Sequence, residues 1–343
     1  MRLNPIIAVM LLALPVGACK KEKQNIAPPA RAVTQAPQGF PAIPFPEDNP
    51  YSEAKWKLGK KLFYDNIFAT DFSISCASCH KQENAFSDVV AKSEGAGGLI
   101  GRRNAPTLAN VAYQPYFTRE GGLATLEKQI LVPIQEHDEF NFNIVKIAER
   151  MQAIPEYVTL SMEAFGREPD AYVITRALST FERTLVSGDS PYDKHINGLP
   201  TTGFGHDAQR GMQLFFSERT SCGKCHSGFN FTDYSFKNNG LYTNYADVGR
   251  MRLTEDPKDV ALFKVPTLRN IELTAPYMHD GSINTLEEVI EHYNSGGMPH
   301  INKSPFVKPL MLTQQEQADL IAFLRSLTDV EFITNKNFRN EDQ

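Results

Sequence analysis

Apolar positions along this chain recur with a helical period far more often than they alternate. In "TLEEVIEHY" the residues Leu286, Val289, Ile290 and Tyr293 fall at i, i+3, i+4 and i+7 on one face. Thr285 and Glu288 precede them at capping-box spacing. "AYVITRALSTFERTLV" and "LTQQEQADLIAFLRSL" read the same way, and the second opens with Thr313 and Glu316. Strand signals are weak, so the pattern predicts a mainly α protein. In the helix begun by Thr285, Tyr293 lies near the middle of the apolar face. His292 is turned from it by about 100°. Met298 follows Gly296-Gly297, which should end the helix.

The N-terminus departs from this pattern. "MRLNPIIAVMLLALPVGAC" places Arg2 before an apolar run too short to span a membrane as a folded helix. It resembles a bacterial lipoprotein signal, with residues 1–18 removed and Cys19 lipidated. Residues 19–40, rich in Lys, Pro, Ala and Gln, read as a tether. A membrane would then be met only through the lipid anchor. The chain has 343 residues, room for two domains. Its net charge of −5, with no basic stripe, excludes a nucleic-acid partner.

Apart from Cys19, the cysteines form two pairs, "CASCH" at 76–80 and "CGKCH" at 222–226. C-x-x-C-H is the attachment sequence of c-type haem. Two thiols three positions apart, Cys76 with Cys79 and Cys222 with Cys225, form thioethers to one porphyrin. The histidine that follows, His80 or His226, reaches its iron. A redox C-x-x-C or a zinc site would not need that histidine twice. Each motif follows a phrase reading Gly, Leu-Phe, polar loop, Ser-Cys, which marks an internal repeat. Two cytochrome-c-like helical domains follow, 41–195 and 196–343, each with one covalent haem. The boundary falls in the Gly- and Pro-rich stretch before residue 205.

"LGKKLFYD", "GRRNAPTLANVAY", "FKVPTLRNIELTAPYMHDGS" and "TLEEVIEHY", with the two C-x-x-C-H motifs, resemble the bacterial dihaem cytochrome c peroxidase family, and within it the MauG-type branch. The resemblance runs from about Pro46 to Thr328. It implies a peroxide-reacting haem on His80 and an electron-transfer haem on His226. Where family peroxidases carry a removable distal histidine, this chain has Ala96. The resemblance assigns the acid–base role in O–O cleavage to Glu139, ten residues beyond Gln129; His137 is the rival. It makes Tyr293, fourteen residues beyond His279, the distal ligand of the second haem, ahead of His292 and Met298. It also implies one calcium ion on Asn104, Thr274 and Pro276. Lys264 and Arg269 are candidates to pair with haem propionates. The family's inter-haem tryptophan is Arg119 here, leaving Tyr116 or Phe117 as substitutes, while Trp56 is expected in the core.

The implied activity is periplasmic reduction of hydrogen peroxide with electrons from a small cytochrome c or copper protein. The alternatives are a MauG-like oxidase that modifies residues of a partner protein, and a non-catalytic dihaem electron carrier. Many relatives form homodimers.

Overall fold

The structure, a computed structural model, describes residues 31–340. The expected signal 1–18, Cys19 and the first part of the tether lie outside the described residues. No helix among the described residues is long and apolar enough to cross a membrane.

The fold is mainly helical, as the periodicity predicts. The only strands among the described residues are Phe236–Lys237 and Phe263–Lys264, an antiparallel pair. The first half is built on helix Glu53–Tyr64 packed against helix Ala171–Arg183. Ser52 caps the former by accepting from the Lys55 amide at 3.2 Å. Asp170 caps the latter through the Val173 amide at 2.9 Å. Their crossing is set by Gly59: a Cβ there would lie 1.9 Å from the Ala177 carbonyl oxygen. No side chain fits, so the two backbones touch.

The second half repeats this device. Helix His206–Phe215 packs against helix Gln314–Arg325, whose Thr313–Glu316 capping box forms as expected. At Gly211 a Cβ would lie 1.9 Å from the Asp319 carbonyl oxygen. The flanking aromatics match too. Phe63 meets Phe181 at 5.2 Å between centroids, and Phe215 meets Phe323 at 5.1 Å. The repeated Gly and Leu-Phe phrase is therefore a repeated helix crossing.

Each half has its own apolar core. Trp56 belongs to the first, with its indole N–H on Thr184 Oγ1 at 2.9 Å. The first core also takes in Phe332 and Phe338, so the end of the chain folds back onto the N-terminal half. Asp329, 1% exposed, fixes the passage between halves by accepting from Ser187 Oγ and the Gly188 and Asp189 amides. The packed body begins earlier than residue 41. Val33 packs on the first core, and the Phe40 ring lies tilted against that of Phe229, 4.6 Å between centroids. Isolated apolar residues in a Pro-rich stretch show no period that would reveal such docking.

Candidate active site

Cys76–Cys79 is a single helical turn, with the His80 amide donating to the Cys76 carbonyl at 3.0 Å. Cys222–Lys224 is the matching turn, and the His226 amide donates to the Cys222 carbonyl at 2.9 Å. All four cysteines are unbridged and partly buried. His80 Nδ1 lies 2.9 Å from the Phe86 carbonyl, and His226 Nδ1 lies 3.0 Å from that of Phe231. A carbonyl only accepts, so each Nδ1 carries the proton and each Nε2 presents a lone pair. Burial lowers both imidazole pKa values, which keeps the rings neutral. Two thiols and one oriented neutral imidazole, built twice, are the donor set that a covalent haem requires.

Ala96 stands where the resemblance places a distal histidine, and alanine offers no ligating group. Ala96 is buried, and its amide donates to the Glu139 carbonyl at 2.7 Å. Gly95 allows this approach, because a Cβ there would meet the Asp138 carbonyl oxygen at 2.4 Å. Two loops distant in sequence thus come together. Glu139 is exposed as a residue, yet its carboxyl end is crowded enough for desolvation to dominate. With the charges of Asp138 and Glu136, this raises its pKa to about 7. Its charge also acts on Cys76 and Cys79, beneath the larger effect of their burial. His137, the rival base, is exposed. A cavity of about 610 Å³ opens beside Cys79, bounded by Asp88, Glu94 and Gly95. A larger one of about 840 Å³ lies along the 41–48 segment and touches none of these ligating residues.

Gln129 served the sequence reading only as a landmark. Its amide oxygen Oε1 is buried without a hydrogen-bond partner. One turn on, Pro133 accepts from the Phe140 amide at 3.0 Å, which ties this helix to the Glu139 loop. A buried acceptor without a partner is rare in a folded protein, and here it lies on the segment that leads to Glu139.

In the second half Thr285 caps helix Leu286–Ser295. Tyr293 packs on the second core, and its phenol lies near Asn239, Cys222 and Cys225. Burial raises that phenol to about 12, with a hydrogen bond to Asn239 working against it. His292 is engaged elsewhere, with Nε2 3.0 Å from the Asn239 carbonyl, and Met298 is 55% exposed. Thr125 caps the matching helix of the first half. Eight residues beyond Thr285 stands Tyr293; eight beyond Thr125 stands Pro133. The same scaffold position carries a potential iron ligand in one half and none in the other.

The halves meet through reciprocal backbone bonds. The Asn104 amide donates to the His279 carbonyl at 3.0 Å, and the Lys264 amide donates to the Arg119 carbonyl at 2.7 Å. Around this seam Arg103 pairs with buried Glu120 at 2.6 Å and with Asp247 at 2.6 Å. Lys264 has only neutral acceptors, Gln114 Oε1 at 2.5 Å and the Tyr116 carbonyl at 2.8 Å. Desolvation and Arg119 push its pKa down to about 7. Arg119, desolvated and beside Arg103, is held at about 10. Two half-buried cations lacking carboxylate partners suit the propionates that haems bring. Arg269 does not serve this role, contrary to expectation. It is consumed by Asp193 Oδ2 at 2.5 Å and the Phe229 carbonyl at 2.9 Å.

Among the expected calcium ligands, Asn104 is already engaged by a cation. Arg119 Nη2 donates to both oxygens of Asn104, at 2.7 Å to the carbonyl and 3.3 Å to Oδ1.

A family model for di-haem cytochrome c peroxidase matches residues 53–201, and one for cytochrome c matches 208–328. The methylamine utilization protein MauG of Methylorubrum extorquens is 38% identical over 291 residues, covering 83% of this chain and 81% of its own. The chain belongs to the di-haem cytochrome c peroxidase family. Cytochrome-c peroxidase IdrP1 of Pseudomonas sp. is 34% identical, covering 84% of each chain. A solved MauG-like protein associated with microbial copper homeostasis superposes with a TM-score of 0.85 at 36% identity, over 90% of this chain and 98% of that one. As a member of this family the protein is an oxidoreductase of the haem peroxidase type, with two cytochrome c domains that fit two c-type haems.

Proposed function

We propose that this protein reduces hydrogen peroxide to water in the periplasm, with electrons from a small cytochrome c or copper protein. Cys76, Cys79 and His80 hold the peroxide-reacting haem; Cys222, Cys225 and His226 hold the second, with Tyr293 as its distal ligand. The observation that carries this reading is the pairing of Glu139, poised near pH 7, with a neighbourhood that offers Ala96 and Pro133 instead of a ligand.

Held by Cys76, Cys79 and His80, a haem would supply the electrons that reduce peroxide. The chain moves the proton. Glu139 Oε accepts it from the near oxygen of peroxide and delivers it to the departing oxygen, which leaves as water. With a pKa near the working pH, the carboxyl is competent in both directions. Two electrons and two protons complete the conversion to two waters. The protein reaches the periplasm by the export signal, anchored through Cys19.

Tyr293 favours a second reading, a MauG-like oxidation of residues on a partner protein. An anionic phenolate favours the oxidised forms of iron, whereas methionine favours ferrous iron and raises the potential. A buried phenol of pKa about 12 gives up its proton only to a strong positive charge such as iron. Steady-state peroxide turnover with reduced cytochrome c separates the two. Rapid turnover supports the peroxidase; a long-lived oxidised spectrum after peroxide alone, without turnover, supports partner oxidation.

A further inference from the structure

We propose that Arg119 is the fixed cation at the seam between the halves, taking the Asn104 oxygens that a calcium ion would need, so that this chain binds no calcium there. The inference does not depend on which of the two oxidative reactions the protein performs.

The geometry is specific. Asn104 is 6% exposed, and its Nδ2 donates to the Val90 carbonyl at 3.3 Å. That contact fixes the amide so that Oδ1 faces Arg119. Nη2 then spans Oδ1 and the main-chain oxygen of the same residue. Calcium takes six to eight oxygens at about 2.3–2.6 Å, and two of those on offer here already accept N–H donors. A divalent ion would also sit against a guanidinium in a partly desolvated setting, where like charges repel strongly.

Arg119 is held in place from several sides. Its carbonyl accepts from the Lys264 amide of the other half. It sits in a turn between Thr118, at φ 65°, and Gly121, at φ 74°. A Cβ on Gly121 would meet the Phe236 ring at 2.4 Å, and that ring stacks on Tyr116 at 5.2 Å. The carboxylates nearby are engaged. Glu120 pairs with Arg103 and with Arg252 at 2.9 Å, and Asp247 pairs with Arg103. Asp280 accepts from the Tyr242 hydroxyl at 2.7 Å. Arg119 forms no ion pair with them; its Nη2 is turned on Asn104, while its Nε is left without a protein partner.

The internal repeat makes the substitution legible. Arg119 in "FTREGG" occupies the position that His279 holds in "YMHDGS", between residues of positive φ in both turns. Each residue gives its carbonyl to the opposite half. A long cationic side chain here reaches along the seam to Asn104 of its own half; a shorter or neutral one would leave the Asn104 oxygens free for a metal ion.

The test uses the purified dihaem protein, equilibrated with calcium chloride, desalted and analysed for metal. Wild type should carry well under about one calcium per chain, and EGTA should leave both haem spectra unchanged. Arg119→Ala should gain about one calcium per chain, removable by EGTA. Arg119→Lys, which keeps the charge, should gain none. A wild-type protein with stoichiometric calcium whose haem spectra change with EGTA overturns the proposal. So does an Arg119→Ala protein that stays calcium-free, or a lysine variant that admits the ion as readily as alanine does. Should the alanine variant fail to accumulate, the wild-type metal content and its response to EGTA decide alone.

Discussion

The two halves share one plan and differ at the point where chemistry is chosen. Each has a glycine-seated helix crossing, a C-x-x-C-H turn, and a histidine whose Nδ1–H is fixed by a phenylalanine carbonyl. Each has a helix start capped by threonine, with the deciding position eight residues beyond that threonine. In the first half that position is Pro133, beside the Glu139 loop; in the second it is Tyr293. The lesson is that holding a haem and choosing its reactivity are separable. The first task uses backbone geometry that the repeat preserves. The second rests on a few side chains that the repeat is free to change.

The sharpest way to break this comparison is Glu139→Gln. Peroxide turnover should fall by about 10²–10⁴-fold, with both haems attached and the second haem's spectrum unaltered. Steady-state kinetics with a reduced donor measure this, and unchanged turnover would remove Glu139 from the mechanism. Next comes Tyr293→Met, which makes the second half resemble an ordinary electron-accepting site. Its haem potential should rise by on the order of 0.1 V or more in a redox titration, while the first haem's spectrum stays put. A second haem indifferent to this change is not ligated by Tyr293.

Gly59→Ala and Gly211→Ala probe the shared plan. Each should destabilise by about 1–3 kcal/mol or more in denaturant unfolding, since the added methyl has no room. Comparable losses in the two variants would show the crossings to be equivalent; a neutral substitution at either would refute the tight contact there. The mildest test is pH. Glu139 acts first as a base and must be ionised, and its folded pKa is raised to about 7. Turnover should therefore fall as pH drops through 7, approaching about tenfold per unit below it. A flat profile between pH 5 and 8 would contradict the raised value.

Much of this was legible in the sequence, because some chemistry is fixed by local spacing. C-x-x-C-H puts two thiols and an imidazole on one turn wherever that turn lies. Capping boxes at Thr285 and Thr313 mark helix starts through contacts within four residues. The phase of one helix separated Tyr293 from His292 without reference to anything beyond it. What tertiary structure alone decided involves groups far apart in the chain. The raised pKa of Glu139 arises from crowding as loops 95–96 and 136–140 close together, and no motif encodes that desolvation. The docking of Phe40, Phe332 and Phe338 rests on single apolar residues, too few to show a period. Arg269 looked free for a propionate until folding placed Asp193 and the Phe229 carbonyl around it. At the seam the sequence marked Arg119 only as a missing tryptophan. Whether a charged side chain is solvated, paired or turned on a neutral oxygen depends on every element packed around it, and at Arg119 the fold of both halves made that choice.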